Sequence, residues 1–332
     1  MATAQQILGL IRSHAKGDEE RFVALTVQLA SAEEKKGHVR LADELRKLAE
    51  EARARAQTPS PKAGSTIRPV PIVAPRGELA GLMSASYPKT RLSQMVLDQS
   101  TEGQLRRIVE EHRQRWKLQE HGLHPRSKLL LVGPPGSGKT MTASALAGEL
   151  GLPLFTVLLH GVITKFMGET AAKLRLVFDA IAQTRGVYLF DELDAIGAQR
   201  GADNDVGEAR RMLNSFLQFL EEDHSESVVL ATTNHPELLD KALFRRFHLM
   251  LEYKLPDHEL LVETIRARLA MFPLGDIDWE FVAEAGEGLS NAEIIRAAED
   301  AARDAVLDGR SGPDTEGLAG ALKARRAGYR SS

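Results

Sequence analysis

The stretch LLLVGPPGSGKTMTASALAGEL, from Leu129 to Leu150, restricts the possible folds more than any other part of the chain. It starts as an uninterrupted apolar run, passes through a glycine-rich turn, and continues with the composition of a helix. An apolar run without polar alternation is typical of a strand that is buried on both faces. Such a strand, followed by a tight turn and a helix, indicates a parallel sheet that helices cover on both sides.

The rest of the chain repeats this alternation of short apolar runs and helical patterns. The runs rich in β-forming residues are 128–133, 152–159, 186–190, 227–234 and 248–255, and the helical patterns between them include 169–184 and 207–222. Strands that alternate with helices favour a parallel sheet. We therefore predict an α/β fold in which a parallel sheet carries helices on both faces.

Four segments differ in composition and define the predicted domain organisation. Residues 1–57 have helical patterns and form a small N-terminal helical module, whereas residues 58–75 hold five prolines and form a linker. Residues 76–255 contain the predicted strands and form the α/β subdomain. Residues 256–332 are mostly helical and form a C-terminal helical lid subdomain.

The glycine-rich turn fits the phosphate-binding pattern G-x-x-x-x-G-K-[ST]. Its glycines let consecutive backbone N–H groups converge on phosphate oxygens, and the following helix directs its positive end at the anion. In this arrangement Lys139 neutralises charge on the β- and γ-phosphates, and Thr140 ligates Mg²⁺. The turn therefore predicts a nucleoside triphosphate site on a P-loop NTPase sheet. The predicted contacts with the nucleotide are Gly133, Pro134, Pro135, Gly136, Ser137, Gly138, Lys139, Thr140 and Met141.

Carboxylates follow the apolar run 186–190 directly, in GVYLFDELDA. A carboxylate at a strand end beside the phosphate loop can hold Mg²⁺, and a second one can deprotonate the attacking water. We assign Asp191 to the metal and Glu192 to the general base. Asp194 is either a further member of this group or a cap of the next helix.

Polar residues also follow the next apolar run, in VVLATTNHPELLDKALFRRF. Asn234 offers a neutral amide that can position water near the γ-phosphate without adding negative charge. Two interpretations stand for the adjacent Arg245 and Arg246. They are a solvated surface pair, or they neutralise transition-state charge on the γ-phosphate of a neighbouring subunit.

Together, GPPGSGKT, YLFDELDA, ATTN, LDKALFRRF and KFMGET resemble the AAA proper clade of AAA+ ATPases over roughly residues 88–305. This resemblance implies a ring, usually a hexamer of identical chains, that binds ATP and Mg²⁺ between subunits. It implies that Asn234 is the sensor 1 residue and that Arg245 and Arg246 are arginine fingers acting on the neighbour. Residues 95–99 are candidates for contacts with the base.

Phe166, in KFMGET at 165–170, matches the pore-loop aromatic of this family. The resemblance implies that it grips an unfolded polypeptide in the channel of the ring, where an aromatic ring contacts any passing side chain. The alternative is a core residue of the adjacent strand–helix unit. The flanking Lys165 and Gly168 favour a loop.

Several residues depart from the family pattern. Arg245 and Arg246 are adjacent, whereas two residues usually separate the arginines of this segment. The sequence therefore does not identify which of them reaches the phosphate of the neighbouring subunit. His248 replaces a usual aspartate, and Asn291 and Glu293 replace glycine and aspartate in the lid segment 288–305. The layout also resembles small bacterial AAA proteins encoded beside a subtilisin-like serine protease, which makes such a protease a candidate partner.

Composition narrows the function classes further. The net charge of −3 argues against general nucleic-acid binding, although the basic segment 106–117 with Trp116 keeps a nucleic-acid motor as an alternative. The chain has no cysteine, which excludes disulfides and thiolate metal sites. No apolar stretch approaches the ~20 residues that span a bilayer, and no leader pattern is present, so we expect a cytoplasmic protein without membrane contact.

The leading hypothesis is an ATPase ring that remodels or threads a protein substrate. The sequence contains neither H-E-x-x-H nor G-x-S-x-G, so any proteolysis would belong to a partner. The alternative is an ATP-dependent switch that gates a partner enzyme in defence or plasmid maintenance, with residues 1–57 as its docking module.

Overall fold

The computed structural model of the protein describes residues 75–162, 169–194, 203–238 and 241–329, together with Ala30, Asp43 and Lys47. The chain divides into two units, Met1–Ile72 and Val73–Ser332. In the first unit the three described residues are helical. The predicted linker up to residue 74 and the predicted pore residue Phe166 lie outside the described residues.

A six-stranded sheet forms the centre of the second unit. Its strands are Met83–Ser86 (β1), Lys128–Val132 (β2), Leu154–Val157 (β3), Val187–Phe190 (β4), Val228–Thr233 (β5) and Leu249–Glu252 (β6). They lie in the order β1-β3-β4-β5-β2-β6, and β2 to β6 are parallel. Each of the five predicted apolar runs contains one of these parallel strands, so the predicted α/β P-loop fold is confirmed.

The edge strand β1 was not predicted and corrects the expectation of an entirely parallel sheet. It pairs antiparallel with β3, with Met83 opposite Val157 and Ser86 opposite Leu154. Its sequence MSAS has no run of β-forming side chains. Backbone pairing with β3 and burial of Met83 therefore define this strand, and neither is visible as a sequence pattern.

Eleven helices are described around and after the sheet. They are Gln99–Arg113 (α1), Arg115–Glu120 (α2), Lys139–Leu150 (α3), Leu159–Val162 (α4), Glu169–Gln183 (α5), Asp203–Glu222 (α6), Lys241–Phe244 (α7), His258–Arg268 (α8), Trp279–Gly286 (α9), Asn291–Leu307 (α10) and Thr315–Tyr329 (α11). Short 3₁₀ segments occupy Gly77–Gly81, Leu92–Gln94 and Pro236–Leu238.

Helices cover both faces of the sheet. Successive strand residues point to opposite sides, so alternate residues of β2 pack against different helices. Leu129 and Leu131 pack with α1 and α3, whereas Leu130 and Val132 pack with α5 and α6. All four side chains are buried. The uninterrupted apolar run at residues 129–132 is thus explained, because the strand β2 is buried on both faces.

The C-terminal helices α8 to α11 share an apolar cluster of their own. Leu261 and Ile265 of α8 pack there with Val282 of α9, Ile294 of α10 and Leu318 of α11. Side-chain caps define where these helices begin: the Asp257 carboxylate accepts the N–H of Leu260 at 2.9 Å, for example. Among the described residues, no helix is long and apolar enough to cross a membrane.

Candidate nucleotide-binding site

The phosphate loop, residues 133–140, connects β2 to α3 at the carboxyl ends of the parallel strands. Gly133, Gly136 and Gly138 have φ angles of 153°, 76° and 103°, in the region that favours glycine. A Cβ on Gly133 would lie 2.3 Å from the carbonyl oxygen of Tyr253, which follows β6. The loop therefore needs glycine both for its backbone conformation and for its close approach to the neighbouring strand.

The Lys139 side chain lies in the middle of this loop and is only 7 % exposed. Its ammonium group donates hydrogen bonds to the carbonyl oxygens of Gly133 (2.7 Å) and Pro134 (2.8 Å), and to Oδ1 of Asn234 (2.7 Å). Burial lowers the pKa of Lys139, and the carboxylates of Asp191, Asp194 and Glu192 oppose that shift. A cation so surrounded is placed to meet phosphate charge.

Thr140 and Asp191 are joined by a side-chain hydrogen bond. The Thr140 hydroxyl donates to the Asp191 carboxylate, at 3.0 Å from Oδ2 and 3.3 Å from Oδ1. Thr140 is the second residue of α3 and Asp191 follows β4, so the fold brings together two residues that are far apart in sequence. Hydroxyl and carboxylate oxygens are the ligands that Mg²⁺ takes in proteins, and this pair therefore fits such an ion.

The acidic loop, residues 191–194, continues from β4. Glu192 has φ of 54° and is the only described residue other than glycine with a positive φ. The backbone N–H of Glu192 donates to the Thr232 hydroxyl at 2.9 Å. The structure thus places Glu192 beside Asp191 at the carboxyl edge of the sheet, where both line the same cavity.

Asp194 and Asn234 are joined directly. The Asp194 carboxylate is 8 % exposed and accepts the backbone N–H of Asn234 at 3.2 Å. Asp194 therefore positions the segment that carries the Asn234 amide. The alternative role of Asp194 as a helix cap concerns residues 195–200, which lie outside the described residues.

One cavity of about 510 Å³ is lined by Lys139, Thr140, Asp191, Glu192 and Asn234. Its phosphate end contains Lys139, Asp191 and Asn234, and Met141 is also on its wall. Met95, Val96 and Leu97 lie on the wall as well, within the range proposed for base contacts. The cavity is large enough for a nucleotide and combines apolar walls with a few convergent polar groups.

A second wall, from the C-terminal helices, was missed by sequence reasoning. Its members are Thr264, Ala267 and Arg268 of α8 and Asn291, Ala292 and Ile295 of α10. The backbone N–H of Ala292 donates to the carbonyl oxygen of Gly136 at 3.0 Å, which ties α10 to the phosphate loop. Oδ1 of Asn291 is buried and has no hydrogen-bond partner among the described residues. The sequence signal nearest to this wall was the resemblance of residues 288–305 to the lid segment of the family, in which Asn291 and Glu293 are departures.

Arg245 and Arg246 lie outside the described wall of the cavity, and both are exposed. Arg246 forms an ion pair with Glu221 of α6. Within the described part of the chain, Arg245 forms no ion pair. His248, at the opposite end of the sheet, accepts the backbone N–H groups of Ser127 (3.1 Å) and Lys128 (3.3 Å) through Nδ1.

Comparison with known proteins agrees with this geometry. Residues 129–255 match the protein family described as "ATPase family associated with various cellular activities (AAA)". An uncharacterized AAA family ATPase, y4kL of Sinorhizobium fredii, is 34 % identical over 310 residues, which cover 93 % of this chain and 91 % of that protein.

Two relatives with more specific names are also similar. The ATP-dependent zinc metalloprotease FtsH 4 of Sphaerobacter thermophilus is 34 % identical over 67 % of this chain and 35 % of its own length. The proteasome-activating nucleotidase of Pyrococcus abyssi is 35 % identical over 58 % of this chain and 51 % of its own length. The matched region thus spans about a third and a half of these two proteins. The predicted family resemblance is confirmed: the chain belongs to the AAA family of ATPases, and it binds and hydrolyses ATP.

Proposed function

We propose that this ATPase works as a ring of identical chains, a hexamer, that remodels or threads protein substrates. The observation that carries the ATP-hydrolysing part of this proposal is the convergence of Lys139, Thr140, Asp191, Glu192 and Asn234 on one cavity at the carboxyl edge of the sheet. The names of two relatives, a metalloprotease and a proteasome-activating nucleotidase, support a protein as the substrate.

Each residue has a separate role in the proposed hydrolysis. Lys139 and the phosphate-loop N–H groups bind and neutralise the phosphates, and Asn234 orients the attacking water. The Glu192 carboxylate accepts the proton of that water as its oxygen bonds to the γ-phosphorus and the bond to the β,γ-bridging oxygen breaks. Thr140 and Asp191 would hold Mg²⁺, which supplies positive charge to the phosphates when bound.

The positions of the two arginines support a site completed by a second copy. Neither lies on the described wall of the cavity of its own chain, and both are exposed. Arg246 is engaged by Glu221. We therefore assign the contact with the neighbouring γ-phosphate to Arg245, a choice that the sequence left open.

A mixing experiment tests the ring. Glu192→Gln should bind ATP and lose about 10²–10⁴-fold in turnover, because the base is removed while the binding groups remain. Arg245→Ala should lose about 10³-fold or more, and Arg246→Ala much less. An equal mixture of Glu192→Gln and Arg245→Ala chains should recover activity at interfaces that pair an intact Glu192 with an intact Arg245.

The outcomes of mixing separate the alternatives. Recovery supports hydrolysis at a shared interface, and size-exclusion chromatography with ATP and Mg²⁺ should then show a ring. A chain that stays monomeric at saturating ATP and turns over at the full rate would contradict the ring. Normal turnover by Glu192→Gln would contradict the base assignment alone.

Threading and the partner are tested separately. Phe166→Ala should abolish substrate processing and leave basal ATP hydrolysis in place, and unchanged processing would contradict threading. Glu192→Gln loaded with ATP should retain substrates and any partner, such as a subtilisin-like protease, for identification by mass spectrometry.

The second candidate function is the ATP-dependent switch that gates a partner enzyme. The division of the chain into the units Met1–Ile72 and Val73–Ser332 favours it, because a unit of its own suits a docking role. Deletion of residues 1–57 distinguishes the two functions. A switch loses its partner, whereas a remodelling ATPase still processes a substrate presented to it.

A further inference from the structure

Thr232 occupies a central position between the strands that carry the catalytic groups. It lies next to the last residue of β5 and is 1 % exposed. Its hydroxyl donates to Oδ1 of Asp191 at 2.6 Å and accepts the backbone N–H of Glu192 at 2.9 Å. Its carbonyl oxygen accepts the N–H of Leu193 at 2.8 Å. One residue thus holds three consecutive members of the acidic loop.

The bond to Glu192 acts on an unfavourable backbone conformation. Glu192 has φ of 54°, where the side chain of an L-residue crowds its own backbone. Such conformations persist when the surroundings fix them, and they occur at sites where a side chain must be aimed. Because the Thr232 hydroxyl accepts the N–H of Glu192 itself, it fixes the peptide from which the Glu192 carboxylate extends.

The bond to Asp191 sets the rotation of a carboxylate. Oδ1 is engaged by Thr232 at 2.6 Å, and Oδ2 lies 3.0 Å from the Thr140 hydroxyl. With one oxygen engaged, the other is held toward the side of the cavity where Thr140 lies. The Thr232 hydroxyl therefore acts on both acidic residues through a single oxygen atom.

We propose that Thr232 is a positioning residue for ATP hydrolysis, which orients Asp191 toward the metal side of the cavity and holds Glu192 for proton transfer. This inference rests on the proposed roles of Asp191 and Glu192. Its chemistry is that of one hydroxyl, a donor to a carboxylate and an acceptor for a backbone N–H. No other hydroxyl side chain in the described part of the chain bonds to both residues.

Substitution with valine is the direct test, because valine keeps the shape of threonine and lacks the hydroxyl. In Thr232→Val, kcat should fall about 10–100-fold, which corresponds to roughly 1.4–2.7 kcal/mol in the activation free energy. KM for ATP should stay within about threefold, since the phosphate loop is untouched. The Mg²⁺ concentration that gives half-maximal turnover should rise. Thr232→Ser, which restores the hydroxyl, should recover kcat to within about threefold of the original chain.

Ser227→Ala is the matched control, at the other end of the same strand region. Ser227 is fully buried, and its hydroxyl donates to the carbonyl oxygen of Ile181 at 3.1 Å. Among the described residues, none of its hydrogen bonds reaches the acidic loop, so loss of the hydroxyl should lower stability and leave kcat unchanged. All variants are assayed at a temperature where circular dichroism shows them folded, and Thr232→Ala replaces Thr232→Val if the latter does not fold.

The results distinguish this inference from the proposed function. If Thr232→Val turns over normally while Glu192→Gln does not, the role of Thr232 is overturned and the base assignment stands. If Thr232→Ser fails to restore kcat, or Ser227→Ala loses as much kcat, the effect is structural and the inference is overturned. In the Glu192→Gln background, Thr232→Val should lower kcat by a smaller factor than in the original chain, because only the effect through Asp191 remains, and a fully additive loss would contradict action through Glu192.

Discussion

The two loops that meet at the phosphate end of the cavity are held in different ways. The phosphate loop obtains its unusual backbone from glycine, with φ of 76° at Gly136 and 103° at Gly138. The acidic loop also has a positive φ, at Glu192, where glycine would carry no carboxylate. There the Thr232 hydroxyl and carbonyl hold the chain. Where the backbone alone binds, glycine is sufficient. Where a side chain must act in the same conformation, a second residue has to support it.

Among the substitutions that test this difference between the two loops, the largest effect is expected from adding a side chain to the phosphate loop. In Gly133→Ala the new Cβ would meet the Tyr253 carbonyl oxygen at 2.3 Å, at a φ of 153°. We expect ATP binding to weaken by more than about tenfold and the free energy of unfolding to fall by about 1–3 kcal/mol. Titration with a fluorescent ATP analogue and urea denaturation measure the two quantities.

Gly151→Ala is the control for this prediction. Gly151 directly follows α3 with φ of 63°, and in the described part of the chain no atom of a more distant residue lies within 4 Å of the position of its Cβ. Its substitution should cost about 1 kcal/mol of backbone strain and leave ATP binding unchanged. Equal ATP binding by Gly133→Ala and the original chain would show that the phosphate loop does not depend on this glycine. It would contradict the conclusion that glycine holds this loop.

A smaller effect, on stability, is expected from substitutions that test the positive φ of Glu192 in the acidic loop. Glu192→Asn and Glu192→Val both remove the carboxylate and differ in their tolerance of a positive φ. Asparagine adopts this region readily, whereas a β-branched residue does not, so Glu192→Asn should be more stable than Glu192→Val by about 1 kcal/mol. Urea denaturation measures the difference, and equal stability of the two variants would mean that no strain is held at this position.

The smallest effect is expected at the opposite, amino-terminal edge of the sheet. Burial, and then the charges of Lys128 and Arg126, lower the pKa of His248 from 6.5, and Asp223 opposes them. Neutral Nδ1 accepts the N–H groups of Ser127 and Lys128. Below pH 6.5 the unfolded chain therefore binds the proton more readily, and stability falls as the pH decreases through that window.

His248→Asn provides the measurement. Asparagine offers a carbonyl oxygen in place of Nδ1 and does not titrate in this range. Its free energy of unfolding should fall less between pH 7.5 and pH 5.5 than that of the original chain, and ATP turnover at pH 7.5 should be unchanged. An equal pH dependence in both chains would assign the effect to other groups, such as the buried His112.

The sequence predicted the residues of the site that directly follow strands, and it did not predict the residues that support them through distant hydrogen bonds. The phosphate loop and the positions of Asp191 and Asn234 were visible because they directly follow apolar strands. The support given by the side chains of Thr232 and Asp194 was not, because each bonds to a residue 40 or 41 positions away. A hydroxyl or carboxylate carries no mark of its partner in the sequence. The edge strand β1 was missed for a similar reason, since its pairing depends on the backbone of β3.

The hydrogen bond from Ala292 to the Gly136 carbonyl oxygen has a consequence for opening of the pocket. A hinge motion that carried α10 away from the nucleotide would leave that oxygen without its donor, at a cost of about 0.5–1.5 kcal/mol if water replaced it. Any displacement of α10 from the phosphate loop would therefore carry the cost of breaking this one backbone hydrogen bond.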